Sequence, residues 1–207
     1  RRLAIVGGGG WGTALSIVLA PRFEQVRLWV YEPDLAERMR ATRENDLYLP
    51  GLAVPERVEI LADLRAAVEG AEVVLGVTPS HVVRQVWGRM LGWLEPGMRF
   101  VSATKGLESG TLLRMSQVIT EVVSARFRPR VAVLSGPTFA REVGRGEPTA
   151  LVVASADAEV ASAVQGAFSG PTFRLYTNPD VVGVELGAAL KNIVAIGAGV
   201  CQGLGLG

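Results

Sequence analysis

The sequence predicts an α/β fold, a mostly parallel sheet flanked by helices, on three observations. Short apolar runs alternate with helix-like ones along most of the 207 residues. Several of those runs, such as Glu72–Thr78 (EVVLGVT), are almost continuously apolar, as strands covered on both faces must be. The first run, LAIV from Leu3, enters a glycine turn in which Gly7, Gly9 and Gly12 have the G-x-G-x-x-G spacing, and it leaves as a helix ending near Pro21. Such a turn lets a pyrophosphate approach the backbone and packs the helix closely on its strand. The free N–H groups and positive dipole end of that helix face the phosphates. The fold is therefore Rossmann-like.

A second strand, Val26–Val30, runs into Tyr31-Glu32-Pro33-Asp34. Glu32 stands 20 residues past Gly12, where a carboxylate binds the adenosine ribose 2′-OH. That favours NAD over NADP, because a 2′-phosphate would meet like charge. The competing reading leaves Glu32 a solvated turn residue, and Tyr31 either stacks on adenine or covers the sheet edge. Asp34 and Glu37 have the N-cap and N3 spacing of a helix running to Thr42. Residues 43–55, rich in Pro, Gly and turn formers, read as a polar loop able to act as a flap.

Val58–Leu61 is a short strand, Asp63–Glu69 a helix and Glu72–Thr78 a strand ending in Pro79-Ser80-His81. Ser80 is placed to cap a helix over Val82–Trp87, and His81, the single histidine, shapes the pocket rather than serving as a base. Strand Arg99–Ala103 delivers Thr104-Lys105-Gly106, helix Leu112–Ser124 follows, and strand Val131–Ser135 delivers Gly136-Pro137-Thr138-Phe139-Ala140. Thr149–Ala154 is a strand, Ala156–Phe168 a helix and Phe173–Tyr176 a last strand.

Asn178-Pro179-Asp180 breaks the chain, and a domain boundary fits there; the family resemblance given below implies a dinucleotide-binding domain, 1–178, and, from 179 to 207, the first helix of a truncated all-helical substrate domain. Val181–Val200 is long enough to span a membrane, but Glu185, Lys191 and Asn192 argue for a buried helix rich in Gly and Ala. The glycine-rich CQGLGLG after it has no terminating logic, so the chain reads as cut off within a domain.

The charge balance, 21 basic against 20 acidic residues, argues against a nucleic-acid or polybasic membrane surface. A single cysteine, Cys201, and a start directly on a strand point to the cytoplasm. Of the 21 basic residues 19 are Arg, leaving only Lys105 and Lys191 as amines able to lose a proton near neutral pH. On a buried helix of small side chains, Lys191 has the surroundings that depress a lysine pKa.

The ordered set GGGGWGTAL, VTPSH, SATKGLE, SGPTFAREV and GVELGAALKNIVAIGAGV resembles the NAD(P)-dependent glycerol-3-phosphate dehydrogenases along the whole chain. The resemblance implies that Gly7, Gly9, Gly10, Trp11 and Gly12 form the pyrophosphate turn. Tyr31 and Tyr48 would lie beside the adenosine, and Ala140 and Lys105 would contact cofactor. It further implies that Lys105, Gly136 and Thr138 hold substrate, that Lys191 is the general acid and base, and that Lys105 keeps its charge and depresses Lys191. Tyr31-Glu32 departs from the histidine or arginine of some NADP-using members. The family's arginine–asparagine pair for the substrate phosphate falls past Gly207. The implied reaction interconverts dihydroxyacetone phosphate and sn-glycerol 3-phosphate for phospholipid synthesis, with NAD or NADP, no metal, a small phosphate substrate and a homodimer left open. Two alternatives stand beside it: a related hydroxy-acid dehydrogenase, and a non-catalytic dinucleotide-binding or sensor module.

Overall fold

A computed structural model describes residues 1–206. The strands are β1 (Arg2–Val6), β2 (Gln25–Trp29), β3 (Glu44–Asn45), β4 (Leu49–Ala53), β5 (Val58–Leu61), β6 (Val73–Gly76), β7 (Arg99–Ser102), β8 (Arg130–Ser135), β9 (Thr149–Ala154) and β10 (Phe173–Asn178). The helices are α1 (Gly10–Leu19), α2 (Pro33–Thr42), α3 (Leu64–Val68), α4 (Val83–Met90), α5 (Met115–Ser124), α6 (Ala140–Gly144), α7 (Ala158–Phe168) and α8 (Val181–Gly203).

Eight strands form one sheet in the order β10-β9-β8-β7-β6-β1-β2-β5. The six from β8 to β5 are parallel, β9 runs antiparallel to β8, and β10 is parallel to β9. The predicted Rossmann-like sheet is thus present, with an antiparallel junction near one edge. Strand order reverses between β1 and β6, and in open α/β sheets ligands settle beyond the strand ends at such a point.

The alternation of side chains explains the two helical layers. Leu3 and Ile5 of β1 share one core with α1, α2 and α7 residues such as Leu15, Leu35 and Val164. Ala4 and Val6 face the other, with Trp87 and Met90 of α4 and Ile119 of α5. Trp87 meets Phe100 edge to face at 5.4 Å and lies against the bare Gly76, where a Cβ would come within 3.2 Å of the indole. Each such large side chain contributes about 1.5–3 kcal/mol by burial.

Several local expectations are corrected. Pro33 takes the first helical position of α2, so Glu32 rather than Asp34 is its N-cap and the Asp34/Glu37 capping pair does not form. Ser80 caps nothing; it opens a 3-10 turn, Ser80–Val82, ahead of α4. Leu112 is left-handed, φ 58°, so α5 starts only at Met115, closed by reciprocal bonds between Arg114 and Gln117. Asp157 accepts from the N–H groups of Glu159 and Val160, which delays α7 to Ala158. Residues 43–55 are not a free flap: β3 and β4 pair antiparallel within them, and Asn45 is fully buried. Of α8 only Glu185 is buried, so the expected buried helix is exposed along most of its length. Its outer apolar side chains, Leu190, Ile193 and Ile196 among them, have no covering layer among the described residues. It is also the one helix among the described residues long and apolar enough to cross a membrane: 23 residues, with an 18-residue stretch of mean hydropathy 1.6.

Candidate active site

At the end of β1 the chain must turn under α1 without obstructing the space above it. Gly7 takes a φ of 129°, and a Cβ there would press on the Val77 carbonyl at 2.7 Å, so the β1 and β6 ends touch at the switch point. A Cβ on Gly12 would fall inside the Gly7 carbonyl oxygen, which makes Gly12 the residue that lets α1 pack on the turn. Gly9, the N-cap of α1, has open space where a side chain would stand. Among the described residues no side chain caps α1 and no acid occupies its first turn. Its N–H groups and dipole are left for an anion in the cleft.

That cleft has a volume of about 670 Å³ and runs along the strand ends. Gly7–Trp11 form its floor. Its walls include Trp29, Tyr31, Glu32 and Tyr48 from the segments after β2 and between β3 and β4, and Thr104, Lys105, Thr138 and Ala140 from the segments after β7 and β8. The Tyr48 hydroxyl donates to Glu32 Oε1 at 2.9 Å, and the carboxylate holds the phenol pKa above its usual value. Asn45 ties the β3–β4 ribbon to the glycine turn. Its Nδ2 donates to the Gly8 carbonyl and to Thr13 Oγ1, each at 2.8 Å, and its Oδ1 accepts from the Tyr48 N–H at 2.9 Å. The ribbon thereby sets Tyr48 against Gly10, where a Cβ would meet the Tyr48 carbonyl at 2.7 Å.

Thr104 Oγ1 donates to the Thr78 carbonyl at 2.8 Å and fixes the β7 exit beside the β6 exit. Glu108 then holds the loop that follows: Arg84 Nε and Nη2 donate to its two oxygens at 2.7 and 2.8 Å, and Thr111 donates at 2.6 Å. Lys105 stays solvent-accessible, yet partial dehydration by surrounding protein, and secondly the charge of Lys191, lower its pKa from the ordinary lysine value.

A second cleft of about 310 Å³ is lined by Ser135, Gly136, Val152, Gly187, Ala188 and Lys191, among others. The Lys191 ammonium lies over the Phe139 ring, 4.7 Å from its centre. Phe139 sits between Thr138 and Ala140 of the first cleft, so the two clefts adjoin at this loop. Lys191 is positioned from one turn and a half below. Buried Glu185 accepts from Arg114 Nη1 at 2.6 Å, from the Ser116 N–H at 2.8 Å and from Ser116 Oγ at 2.6 Å, which fastens α8 to the start of α5.

Of the residues expected at the site, Gly7, Gly9, Gly10, Trp11, Tyr31, Glu32, Tyr48, Lys105, Thr138 and Ala140 line the first cleft. Gly136 and Lys191 line the second, and Gly12 lies beneath the floor. His81 lines the first cleft and is exposed. Sequence reasoning missed Asn45, Glu185 and Arg89. No local pattern marks the first; the second was read only as a charge opposing membrane insertion. The third is one arginine in a chain full of them.

The switch-point cleft, its glycine floor, the uncapped helix above it and the carboxylate after β2 define a Rossmann-type dinucleotide-binding domain. Residues 2–161 match the NAD-dependent glycerol-3-phosphate dehydrogenase N-terminus, and residues 180–207 the corresponding C-terminus. The chain belongs to the NAD-dependent glycerol-3-phosphate dehydrogenase family. It is 55% identical over 207 residues to a glycerol-3-phosphate dehydrogenase [NAD(P)+] of Koribacter versatilis, covering all of this chain and 61% of that one. It is 48% identical to that of Geobacter metallireducens, covering 100% and 62%. The crystal structure of glycerol-3-phosphate dehydrogenase from Coxiella burnetii superposes with a TM-score of 0.90 at 38% identity, covering 100% and 62%. The chain thus spans about three fifths of the length of the curated relatives it matches.

Proposed function

We propose that the protein is an oxidoreductase interconverting dihydroxyacetone phosphate and sn-glycerol 3-phosphate with NAD(H) or NADP(H), supplying glycerol 3-phosphate for phospholipid synthesis. The observation that carries the reading is the Lys191 ammonium seated over Phe139, in the loop whose neighbours Thr138 and Ala140 line the dinucleotide cleft together with Lys105. Gly7, Gly9, Gly10, Trp11 and Gly12 form or support the pyrophosphate floor, with Tyr31, Glu32 and Tyr48 at the adenosine and Ala140 and Lys105 toward the nicotinamide. When bound, the reduced cofactor supplies a hydride to the substrate carbonyl carbon. The Lys191 ammonium gives a proton to the oxygen of that carbonyl, and neutral Lys191 takes it back in the oxidative direction. General acid–base transfer of this kind contributes roughly 10²–10⁴ in rate. Lys105, with Gly136 and Thr138, holds the anionic substrate beside that proton.

We further place the domain boundary at 178/179. Asp180 caps α8 through the Gly183 N–H at 2.8 Å, and the two family matches part between residues 161 and 180, which supports it. We read α8 as a helix of a cytoplasmic enzyme rather than a membrane span. Its buried Glu185 and its Lys191, which faces a cleft of the sheet domain, support this reading.

The test is turnover by the full-length enzyme of dihydroxyacetone phosphate with reduced cofactor, followed by cofactor absorbance. Lys191→Arg is expected to abolish turnover while dinucleotide binding persists; retained turnover removes the role of Lys191. Oxidation of a hydroxy acid instead, or binding without turnover, selects the alternative dehydrogenase or the sensor module.

A further inference from the structure

The adenosine end of the cleft carries both signs of charge. Glu32 follows β2, and its Oε1 is already occupied by the Tyr48 hydroxyl at 2.9 Å. Arg89, in the last turn of α4, lines the same cleft. Its guanidinium lies over Trp29, 5.8 Å from the ring centre, and the Trp29 ring meets Tyr31 edge to face at 5.9 Å. Trp29 is itself fixed: it is buried, and its Nε1 donates to the Ala62 carbonyl at 3.0 Å. An aromatic pair, anchored by Trp29, therefore links the cation to the segment that bears the acid. Arg89 takes part in none of the ion pairs among the described residues, and its side chain is solvent-exposed. Lys105, the other lysine or arginine lining the cleft, follows β7, whereas Arg89 lies on α4.

A carboxylate at the end of β2 suits a ribose diol and repels a phosphate on the 2′-oxygen, whereas a nearby arginine accommodates that phosphate. An unpaired guanidinium held over an aromatic face keeps its outward donors for a phosphate oxygen. We infer that Arg89 determines cofactor specificity by letting this cleft accept the 2′-phosphate of NADP(H) in spite of Glu32. The inference rests on the dinucleotide reading above. It adds that tolerance for both cofactors comes from two side chains on different elements, one favouring the diol and one the phosphate monoester.

The experiment measures NADPH and NADH affinities of the full-length protein by calorimetry, native and with Arg89→Met or Arg89→Lys, alongside the fragments 2′,5′-ADP and 5′-AMP. Methionine keeps an apolar stem over Trp29 and removes the charge. The NADPH-to-NADH affinity ratio is expected to fall about tenfold in Arg89→Met, the size of one charge-assisted hydrogen bond, and less in Arg89→Lys. The fragment ratio should fall in parallel. In the native protein the ratio should also decline with added salt, and in Arg89→Met that decline should vanish or reverse, because salt then screens only the Glu32 repulsion. An unchanged ratio in Arg89→Met, whether both affinities hold or both drop together as loss of stacking on adenine would cause, overturns the inference. Absence of binding of either cofactor to the native protein overturns the dinucleotide reading itself.

Discussion

Asn45 Nδ2 donates to the Gly8 carbonyl at 2.8 Å, joining a buried side chain of the β3–β4 ribbon to the floor of the cofactor cleft. The same amide donates to Thr13 on α1 and accepts from the Tyr48 N–H. One residue thus fixes the glycine turn, the helix that follows it and the tyrosine that closes on Glu32. Asn45→Ala strands several buried groups at about 1–3 kcal/mol each. In a domain of this size a loss of about 2–3 kcal/mol lowers the melting temperature by roughly 5–10 °C. Thermal unfolding with and without NADH checks both halves of the argument: the variant should melt lower and gain less from cofactor than the native protein does. A variant that melts lower but gains equally from NADH would reduce Asn45 to a purely structural residue.

Glu185 is the corresponding fastener for the other cleft. It is 4% exposed and accepts from Arg114, Ser116 N–H and Ser116 Oγ. Breaking a buried ion pair by removing one partner costs about 3–5 kcal/mol, because the surviving charge is left uncompensated. Glu185→Ala should therefore loosen the first half of α8 and let Lys191 drift from the Gly136 cleft. Hydrogen exchange across Val181–Lys191 should quicken relative to β1 and β6, and turnover of the full-length enzyme should fall with little change in NADH affinity. Unaltered exchange in that segment would remove the anchoring role.

Why some of this was legible and some was not follows from the range of the interactions. The strands VRLWV and EVVLGVT could be read because burial on both faces demands apolar side chains at most positions. The glycine turn could be read because its constraints act between near neighbours, Gly7 with Gly12. Asn45 could not, since its partners lie 37 and 32 residues away and a buried asparagine looks like any polar loop residue. Helix starts shifted where one backbone angle decided the matter, at Pro33 and at left-handed Leu112. The exposure of α8 escaped notice for a different reason: its composition states that it needs a covering layer, and composition cannot state whether that layer lies within the same 207 residues.

The loop after Lys105 has its own test, in acid. Arg84 and Thr111 hold the Glu108 carboxyl well below its usual range, at about 2. A carboxylate depressed in the folded state stabilises fully above its unfolded pKa, near 4.5, and the stabilisation disappears as pH falls toward 2. Glu108→Gln should melt lower than the native protein at neutral pH, and the two melting curves should converge as the pH approaches 2. A gap that stays constant with pH would mean that the loss is one of packing rather than of charge.

Having only two lysines makes the central electrostatic relationship directly observable. Dehydration and the Lys191 charge both lower the Lys105 pKa, dehydration being the larger cause. Lys191→Met should raise the Lys105 pKa part of the way to its ordinary value, and Lys191→Arg should leave it depressed. Reductive ¹³C-methylation followed by NMR titration reads the Lys105 signal, which is assigned by its loss in Lys105→Met. Because the folded state disfavours the Lys105 ammonium, the unfolded chain binds more protons over the range between the two pKa values. Lys105→Met should therefore raise the melting temperature at pH 7, and the gain should fade as pH climbs past about 10.5, where both states are neutral. The same variant should weaken binding of the anionic substrate to the full-length enzyme. A lysine that costs the fold stability while serving the ligand is what a functional placement requires, and a destabilised Lys105→Met at pH 7 would refute it.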